Sequence, residues 1–215
     1  MNDLTILVPV LGRPQRVRPV IDSVGAATPE AEVLFVADPD DAAELEALEG
    51  EGAEFITLAG NYAQKINAGV KRTSAPHLFF GADDLVFHEG WYEEARCHLT
   101  ENVGIVGVND LCSPRVKAGR HATHFLASRW YAELPTFDGG PGPLCELYDH
   151  SYVDDEAVQT GLKRNALAFA TDAIVEHLHP DNGTAPMDET YQRGRANIRQ
   201  DRRLYMRRRR QWMSR

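Results

Sequence analysis

The fold of this chain can be read outward from the stretch His77-Leu-Phe-Phe-Gly-Ala-Asp-Asp-Leu-Val-Phe-His-Glu-Gly-Trp91. Residues 78–80 form a short apolar run with a strong preference for a β-strand. The run ends at Gly81, and Asp83 and Asp84 follow immediately. Because open α/β sheets bind ligands at the carboxyl ends of their strands, the stretch predicts two carboxylates at such an edge.

Two interpretations of this acidic pair remain open on the pair alone. Adjacent carboxylates that lie close together repel each other unless a cation or hydrogen-bond donors sit between them. Mg²⁺ and Mn²⁺ prefer carboxylate oxygens and bridge well to phosphates, so the pair fits a metal–diphosphate site. The alternative is an acidic turn after a strand, because aspartate is common in turns.

The first eighty residues alternate between apolar strand patterns and helical patterns. Predicted strands cover residues 4–11, 32–37, 54–58 and 78–80, and predicted helices cover 16–27, 42–48 and 62–73. This order predicts an α/β fold with a mostly parallel, doubly wound sheet, whose polar strand ends gather along one edge.

The later part of the chain is less regular. We predict helices at 91–100, from Arg129 and at 156–162, strands at 103–108, 123–128 and 166–172, loops at 137–143 and 175–180, and a basic helix from about Asp188 onward. No internal repeat and no second domain is evident in this pattern.

Length and composition predict one domain with a real core. The apolar run at residues 4–11 is too short to span a membrane, and no basic region precedes it as in a signal peptide. Cys97, Cys112 and Cys145 are odd in number and form no CxxC pair, which favours a reducing cytoplasm over a disulfide framework. The sequence leaves the oligomeric state open.

The charge of the chain is unevenly distributed. Residues 193–215 hold ten arginines and one acid, Asp201, whereas the whole chain has a net charge of -9. The remainder therefore carries a balance of -18. The arginine-rich end can pack on this acidic body, bind nucleic acid through phosphates or touch an anionic membrane, and we favour the first interpretation.

Several segments, in this order, resemble the nucleotide-binding half of the family 2 glycosyltransferases, which have the GT-A fold. They are Ile6-Leu-Val-Pro-Val10 with Arg13, Leu34-Phe-Val-Ala-Asp38, Asn61-Tyr-Ala-Gln-Lys-Ile-Asn-Ala-Gly69 and Phe79-Phe-Gly-Ala-Asp-Asp84. The resemblance implies a nucleotide-diphosphate-sugar donor, and the candidate donor-binding residues are Pro9, Val10, Arg13, Asp38, Asn61, Lys65, Asn67, Asp83 and Asp84.

The last of these segments resembles the family's Asp-any-Asp metal motif, with Gly81 in place of its first acid. The resemblance implies that Asp83 is a ligand of a divalent metal, Mn²⁺ or Mg²⁺, and that Asp84 is a second ligand or a ribose contact. His177 and His179 follow a late strand, where GT-A enzymes often supply a further metal or diphosphate ligand.

The segment Tyr152-Val-Asp-Asp-Glu156 resembles the family's Glu-Asp segment, whose second acid is the catalytic base of inverting members. This implies that Asp155 is the base, with Asp154 beside it. The alternative is that these acids only begin a helix, where the helix dipole favours them. His124, Trp130 and the Gly-rich loop 139–142 are candidates for the acceptor side by position only.

Taken as a whole, the resemblance implies an inverting, metal-assisted glycosyltransferase that acts on a hydroxyl of a protein, glycan, lipid or modified DNA base. The expected organisation is a GT-A-like domain at 1–185, divided into a donor half (1–110) and an acceptor half (111–185), with an arginine-rich helical tail at 186–215. The rivals are a nucleotidyltransferase of similar fold and a nucleic-acid-binding module that uses the tail. A hybrid glycosylates DNA bases while the tail holds the DNA.

Overall fold

A computed structural model describes residues 3–213, and these form a central sheet with helices packed against it. The strands are β1 (Leu4–Pro9), β2 (Glu32–Ala37), β3 (Glu54–Thr57), β4 (His77–Phe80), β5 (Leu85–Phe87), β6 (Ile105–Asn109), β7 (Phe125–Ser128) and β8 (Leu167–His177). The helices are α1 (Val17–Ala27), α2 (Ala42–Gly50), α3 (Tyr62–Arg72), α4 (Trp91–Arg96), α5 (Pro114–Lys117), α6 (Arg129–Ala132), α7 (Val153–Lys163), α8 (Glu189–Ala196) and α9 (Ile198–Met213).

The eight strands form one sheet in the order β3-β2-β1-β4-β7-β6-β8-β5. The strands β1, β2, β3 and β4 are parallel to one another, as are β6 and β8, whereas β7 runs antiparallel to both β4 and β6. Because β7 is antiparallel to both of its neighbours, β4 and β6 run in the same direction, and β8 runs with β6. Their carboxyl ends therefore meet at one edge, as the sequence predicted for an α/β fold.

The core lies on both faces of the sheet. On one face an aromatic cluster forms around Phe79, whose ring centroid lies 5.4 Å from that of Phe87 and 4.8 Å from that of Trp91. On the other face α3 packs closely on β1. Gly69 of α3 is so near Leu7 of β1 that a Cβ atom at this position would lie only 2.9 Å from Leu7 Cδ2. This close approach positions the polar residues at the start of α3 beside the end of β1.

Several element boundaries differ from the sequence-based predictions. The prediction of a loop at 175–180 is wrong for residues 175–177. These residues belong to β8, which continues to His177 and pairs there with β5. The short strand β5 was not predicted, since three apolar residues next to an acidic turn show no clear period. The strand predicted at 4–11 ends at Pro9, and the helix predicted at 91–100 ends at Arg96.

The arginine-rich end packs on the body through one side of α9, as the favoured interpretation predicted. Asp201, Tyr205, Arg208 and Trp212 are buried, and their spacing of three to four residues places them on one face of the helix. Among the described residues, no helix is both long and apolar enough to cross a membrane.

Candidate functional site

A cavity of about 920 Å³ lies at the edge where β1, β4 and β8 end. Most of the residues predicted from the sequence line it: Pro9, Val10, Arg13, Asn61, Lys65, Asp83, Asp84, Asp154, Asp155, His177 and His179. The acceptor-side candidate His124 also lines it. The topology explains this convergence, because parallel strands bring residues far apart in sequence to one edge.

The two carboxylates at the end of β4 are buried and hold one arginine between them. Asp83 and Asp84 are 7% and 5% exposed. Arg13, from the turn after β1, donates from Nη1 to Asp83 Oδ1 at 2.8 Å and to Asp84 Oδ2 at 3.2 Å. Burial and the neighbouring charge of Asp84 raise the pKa of Asp83. The pair is thus compensated by a cation of the protein's own.

His177 places an imidazole beside the same pair. Its Nε2 lies 3.3 Å from Asp84 Oδ1, but this oxygen receives no hydrogen bond from the described residues although it is buried. Burial opposes ionisation of Asp84, yet its contacts with His177 and Tyr191 lower its pKa. A buried carboxylate oxygen without a donor, next to a histidine nitrogen, has the composition of a divalent metal site.

The other two histidines of this region have different environments. His124 contacts the Phe80 carbonyl oxygen through Nδ1 at 3.2 Å, and burial lowers its pKa to about 4. His179 accepts a hydrogen bond from the Asp181 backbone N–H at Nδ1, at 3.2 Å, and burial lowers its pKa. Of the two predicted histidine ligands, His177 is therefore the one in contact with the acid pair.

The start of α3 forms one wall of the cavity. Asn61 caps the helix by accepting from the Gln64 N–H, and its amide donates to the Glu146 carbonyl oxygen at 2.8 Å. Lys65 is only 2% exposed and donates from Nζ to the Val10 carbonyl oxygen at 2.8 Å. Burial lowers the pKa of Lys65 below its usual value, and nearby acids offset only part of this shift.

The structure does not bring every predicted donor residue to the cavity. Asp38 lies outside the cavity lining and accepts from the Asp40 N–H at 3.1 Å, as in an ordinary turn. Asn67 is buried beneath the Gly-rich loop and donates to the Leu144 carbonyl oxygen at 2.9 Å. A Cβ at Gly142, which has φ of +66°, would collide with the Asn67 side chain. Asn67 therefore holds this loop in place.

The acceptor candidates Trp130 and loop 139–142 also lie outside the cavity lining. Trp130 is 41% exposed and packs edge-on against Tyr131, with ring centroids 5.7 Å apart. Both candidates rested on position in the sequence alone, which does not report the direction in which a side chain points.

The acids of the first turn of α7 also line the cavity. Asp154 Oδ2 lies 3.0 Å from His121 Nε2, and Asp155 Oδ1 lies 3.6 Å from Arg115 Nη2. Burial and the charge of Asp154 raise the pKa of Asp155. Burial opposes ionisation of Asp154, but contact with His121 lowers its pKa. The two adjacent carboxylates therefore differ in basicity, and Asp155 is the stronger proton acceptor.

Sequence reasoning missed His121, and no local signal identifies it. One possible ligand atom from each of His121, Asp154 and Asp155 lies within 4.8 Å of the other two, which is close enough for the three to share an ion. Groups of acids this close together are also common in proteins without a bound ion, so the distances alone do not make this a metal site.

The C-terminal segment also contributes residues that the sequence did not reveal. Tyr191, in α8, places its hydroxyl oxygen 2.8 Å from Asp84 Oδ2 and 2.6 Å from the Leu178 carbonyl oxygen. Asp188, just before α8, accepts two hydrogen bonds from Arg13, from Nε at 2.9 Å and from Nη2 at 3.1 Å. Both residues are more than a hundred positions from Asp84 in sequence, so only folding unites them.

The fold is the GT-A fold, and a comparison of the sequence with protein-family models identifies the family. The model described as glycosyl transferase family 2 matches residues 5–155. The chain therefore belongs to this family. No curated protein matches the sequence.

Solved structures of similar fold include glycosyltransferases with low sequence identity to this chain. A mannosyltransferase from Pyrobaculum calidifontis, in complex with GDP-Man and Mn²⁺, is 14% identical with a TM-score of 0.63, and the match covers 85% of this chain and 58% of that one. Glucosyl-3-phosphoglycerate synthase from Mycobacterium tuberculosis, in complex with Mn²⁺, UDP-Glc and phosphoglyceric acid, is 16% identical with a TM-score of 0.59, covering 92% and 77%. The chain thus spans less than two thirds of the mannosyltransferase.

Proposed function

We propose that this chain transfers a sugar from a nucleotide-diphosphate donor to a hydroxyl acceptor, with the donor bound at the ends of β1 and β4. One observation carries the proposal: two buried carboxylates and His177 meet at this edge, and Asp84 Oδ1 has no hydrogen-bond donor among the described residues. Because a buried carboxylate oxygen that accepts no hydrogen bond is costly, such an arrangement favours a bound cation.

The residues present fit a divalent metal. Asp83, Asp84 and His177 would hold it, and a set of carboxylate oxygens with one imidazole suits Mn²⁺ better than Mg²⁺, which prefers oxygen ligands. When bound, the ion neutralises the diphosphate leaving group. Two of the structures of similar fold carry Mn²⁺ with a nucleotide sugar, which supports this proposal.

Asp155 is our candidate for the general base of an inverting transfer. It lines the same cavity as the acid pair, and its raised pKa makes the carboxylate a better proton acceptor than an ordinary aspartate. A carboxylate on the acceptor side accepts the hydroxyl proton as the oxygen attacks. Direct attack from that side inverts the anomeric centre.

The proposal keeps the organisation expected from the sequence, with donor half 1–110, acceptor half 111–185 and tail 186–215. Residues of the tail line the cavity, so the tail forms part of the site in this proposal. The nucleotide base, sugar and acceptor are left to experiment. Cytoplasmic location is also part of the proposal, and the free cysteines support it.

Donor binding can be tested by thermal shift with UDP-, GDP-, ADP- and TDP-sugars, each with and without Mn²⁺. A ligand that binds only the folded state raises Tm. We expect one nucleotide class to raise Tm in a Mn²⁺-dependent way, and Asp83→Asn to abolish this shift. Asp40→Asn is the matched control, because Asp40 is exposed and outside the cavity. No shift with any nucleotide sugar would contradict the proposal.

The nucleotidyltransferase rival predicts a different product from the same cavity. A glycosyltransferase releases a nucleoside diphosphate from the donor, whereas a nucleotidyltransferase releases pyrophosphate from a nucleoside triphosphate. Chromatography of reaction mixtures separates these products. Pyrophosphate release that depends on Asp83 would favour the rival.

The exposed arginines of α9 are the observation that favours nucleic-acid binding as a second candidate function. They have no ion pair with any described residue and are Arg199, Arg202, Arg203, Arg207, Arg209 and Arg210. Binding through phosphates predicts an affinity that falls steeply with salt. A filter-binding assay with duplex DNA at two salt concentrations tests this. Salt-dependent binding that Asp83→Asn leaves unchanged would support it.

A further inference from the structure

Arg13 is a buried cation that contacts three carboxylates. It is 3% exposed, and its guanidinium group contacts Asp83, Asp84 and Asp188. Its central carbon also lies 4.0 Å from the centre of the Tyr191 ring. Three carboxylates thus share one guanidinium, with the His177 imidazole beside Asp84, and such a group of acids attracts a further cation.

The two edges of the guanidinium have different partners. Nη1 faces the acid pair, while Nε and Nη2 bind Asp188 in a bidentate pair. Bidentate pairs of this kind are directional and strong. The contacts on the Nη1 edge can therefore break while Asp188 keeps the guanidinium at the rim of the site.

We propose that Arg13 is an internal cation that competes with the divalent ion for Asp83 and Asp84, and that Asp188 anchors Arg13 when the ion displaces it. This inference rests on the proposed function, since it concerns the metal of the same donor site. The anchored Arg13 then remains beside the donor-binding edge, where a guanidinium suits a diphosphate.

Competition follows from the atoms involved. Arg13 Nη1 already occupies one oxygen of each carboxylate, Asp83 Oδ1 and Asp84 Oδ2. A divalent ion needs carboxylate oxygens as ligands and is repelled by a guanidinium a few ångströms away. Gly81 stands where the family motif has a further acid, so the pair has one negative charge fewer to offset this repulsion.

Tyr191 is part of the same arrangement. Its hydroxyl has one proton, so it can donate to only one of its two acceptors, Asp84 Oδ2 and the Leu178 carbonyl oxygen, at a time. The shorter contact to Leu178 is available when Asp84 turns to another partner. Tyr191 can therefore release Asp84 to an ion without leaving its own hydroxyl unpaired, while Asp188 keeps the Nε and Nη2 donors of Arg13 paired.

The first experiment measures Mn²⁺ affinity of the full chain without nucleotide, from the free-Mn²⁺ signal in electron paramagnetic resonance. We expect Arg13→Gln to bind Mn²⁺ about tenfold or more tightly than wild type, because a nearby positive charge is removed. The matched control is Arg18→Gln, which removes an exposed arginine paired with Asp22 and should leave the affinity unchanged. Equal or weaker Mn²⁺ binding by Arg13→Gln would overturn the inference.

A second variant tests the anchor and covers the case in which Arg13→Gln fails to fold. The Asp188 side chain is 33% exposed, so Asp188→Asn should fold. We expect its Mn²⁺ affinity to fall about threefold or more, because displaced Arg13 loses its partner. Asp181→Asn, with the same charge change on the same segment but paired with Arg195, is the control. An equal fall in both variants would show a general charge effect and overturn the anchor role.

The two proposals can fail separately. Donor binding by the wild-type chain, seen as a nucleotide-dependent rise in Tm, supports the transferase site whatever Arg13 does. If the donor binds but Arg13→Gln gains no Mn²⁺ affinity, only the inference about Arg13 is wrong. If no nucleotide sugar binds while Arg13→Gln gains Mn²⁺ affinity, the proposed function is wrong and the competition is real.

Discussion

Replacing Arg208 with methionine should destabilise the protein, because this arginine neutralises a buried carboxylate. Arg208 donates to both oxygens of Glu156, from Nε at 2.8 Å and from Nη2 at 2.7 Å. Their side chains are 5% and 4% exposed. Arg208 also donates to Asp138, and Tyr148 donates to Glu156 at 2.6 Å. In the variant, the Tyr148 hydroxyl would be the remaining side-chain donor to a buried charge.

The expected loss of stability follows from this geometry. Removing one partner of a buried ion pair costs about 3–5 kcal/mol, because the other charge stays buried without compensation. The Asp138 side chain is 40% exposed, so its pair with Arg208 adds less. We therefore expect the free energy of unfolding to fall by about 4 kcal/mol. With a urea m-value of about 2 kcal/mol/M, the midpoint should fall by about 2 M.

The assay is urea unfolding followed by circular dichroism, with Arg207→Met as the matched control. Arg207 is exposed and adjacent, so its replacement should change the free energy of unfolding by no more than about 0.5 kcal/mol. Adding Glu156→Gln to Arg208→Met should restore part of the loss, since the uncompensated charge disappears. If Arg208→Met unfolds at the same urea concentration as the control, the reasoning about the buried pair is refuted.

Three further predictions concern the cavity and its supports. Asp155→Asn should lower kcat by about 10²–10⁴-fold if Asp155 is the base, with nucleotide binding unchanged; full activity would contradict that role. Asp155 must be deprotonated to act as a base, and the charge of Asp154 raises its pKa. Asp154→Asn should therefore move the acid limb of the pH profile of kcat/KM to lower pH. An unchanged acid limb in a pH-rate series would argue against this. Asn67→Ala should lower the free energy of unfolding by about 2 kcal/mol without raising KM for the donor, since Asn67 holds the Gly-rich loop; a raised KM would instead favour the nucleotide role predicted from the sequence.

The strands and helices of the first half of the chain could be predicted because each has its own periodic pattern of apolar residues. The residues of β2 form an apolar run that matches a buried strand, and the predicted and observed bounds, Glu32–Ala37, agree. The helix α3 was predicted from its apolar face and begins at Tyr62 as expected, after the Asn61 cap. These signals are local, so tertiary contacts were not needed to recognise them.

The end of β8 could not be predicted for the same reason. Residues 175–177 carry a glutamate and a histidine, and they read as a loop when considered alone. Pairing with β5 makes them a strand, and this pairing joins Leu85 to His177, 92 positions apart. The same pairing brings His177 next to Asp84. The strand pairing that the sequence could not reveal is therefore also what places this histidine at the acid pair.

The sequence by itself determined the class of fold and the acid pair at its edge. Alternating strand and helix periods, with Asp83 and Asp84 directly after a buried run, were enough for both. Only the tertiary structure decided which distant side chains complete the site. The family resemblance named Arg13 and His177, but only the structure shows their contacts with the pair. Asp188 and Tyr191 join the site through the packing of α8, and such long-range contacts leave no periodic pattern along the chain.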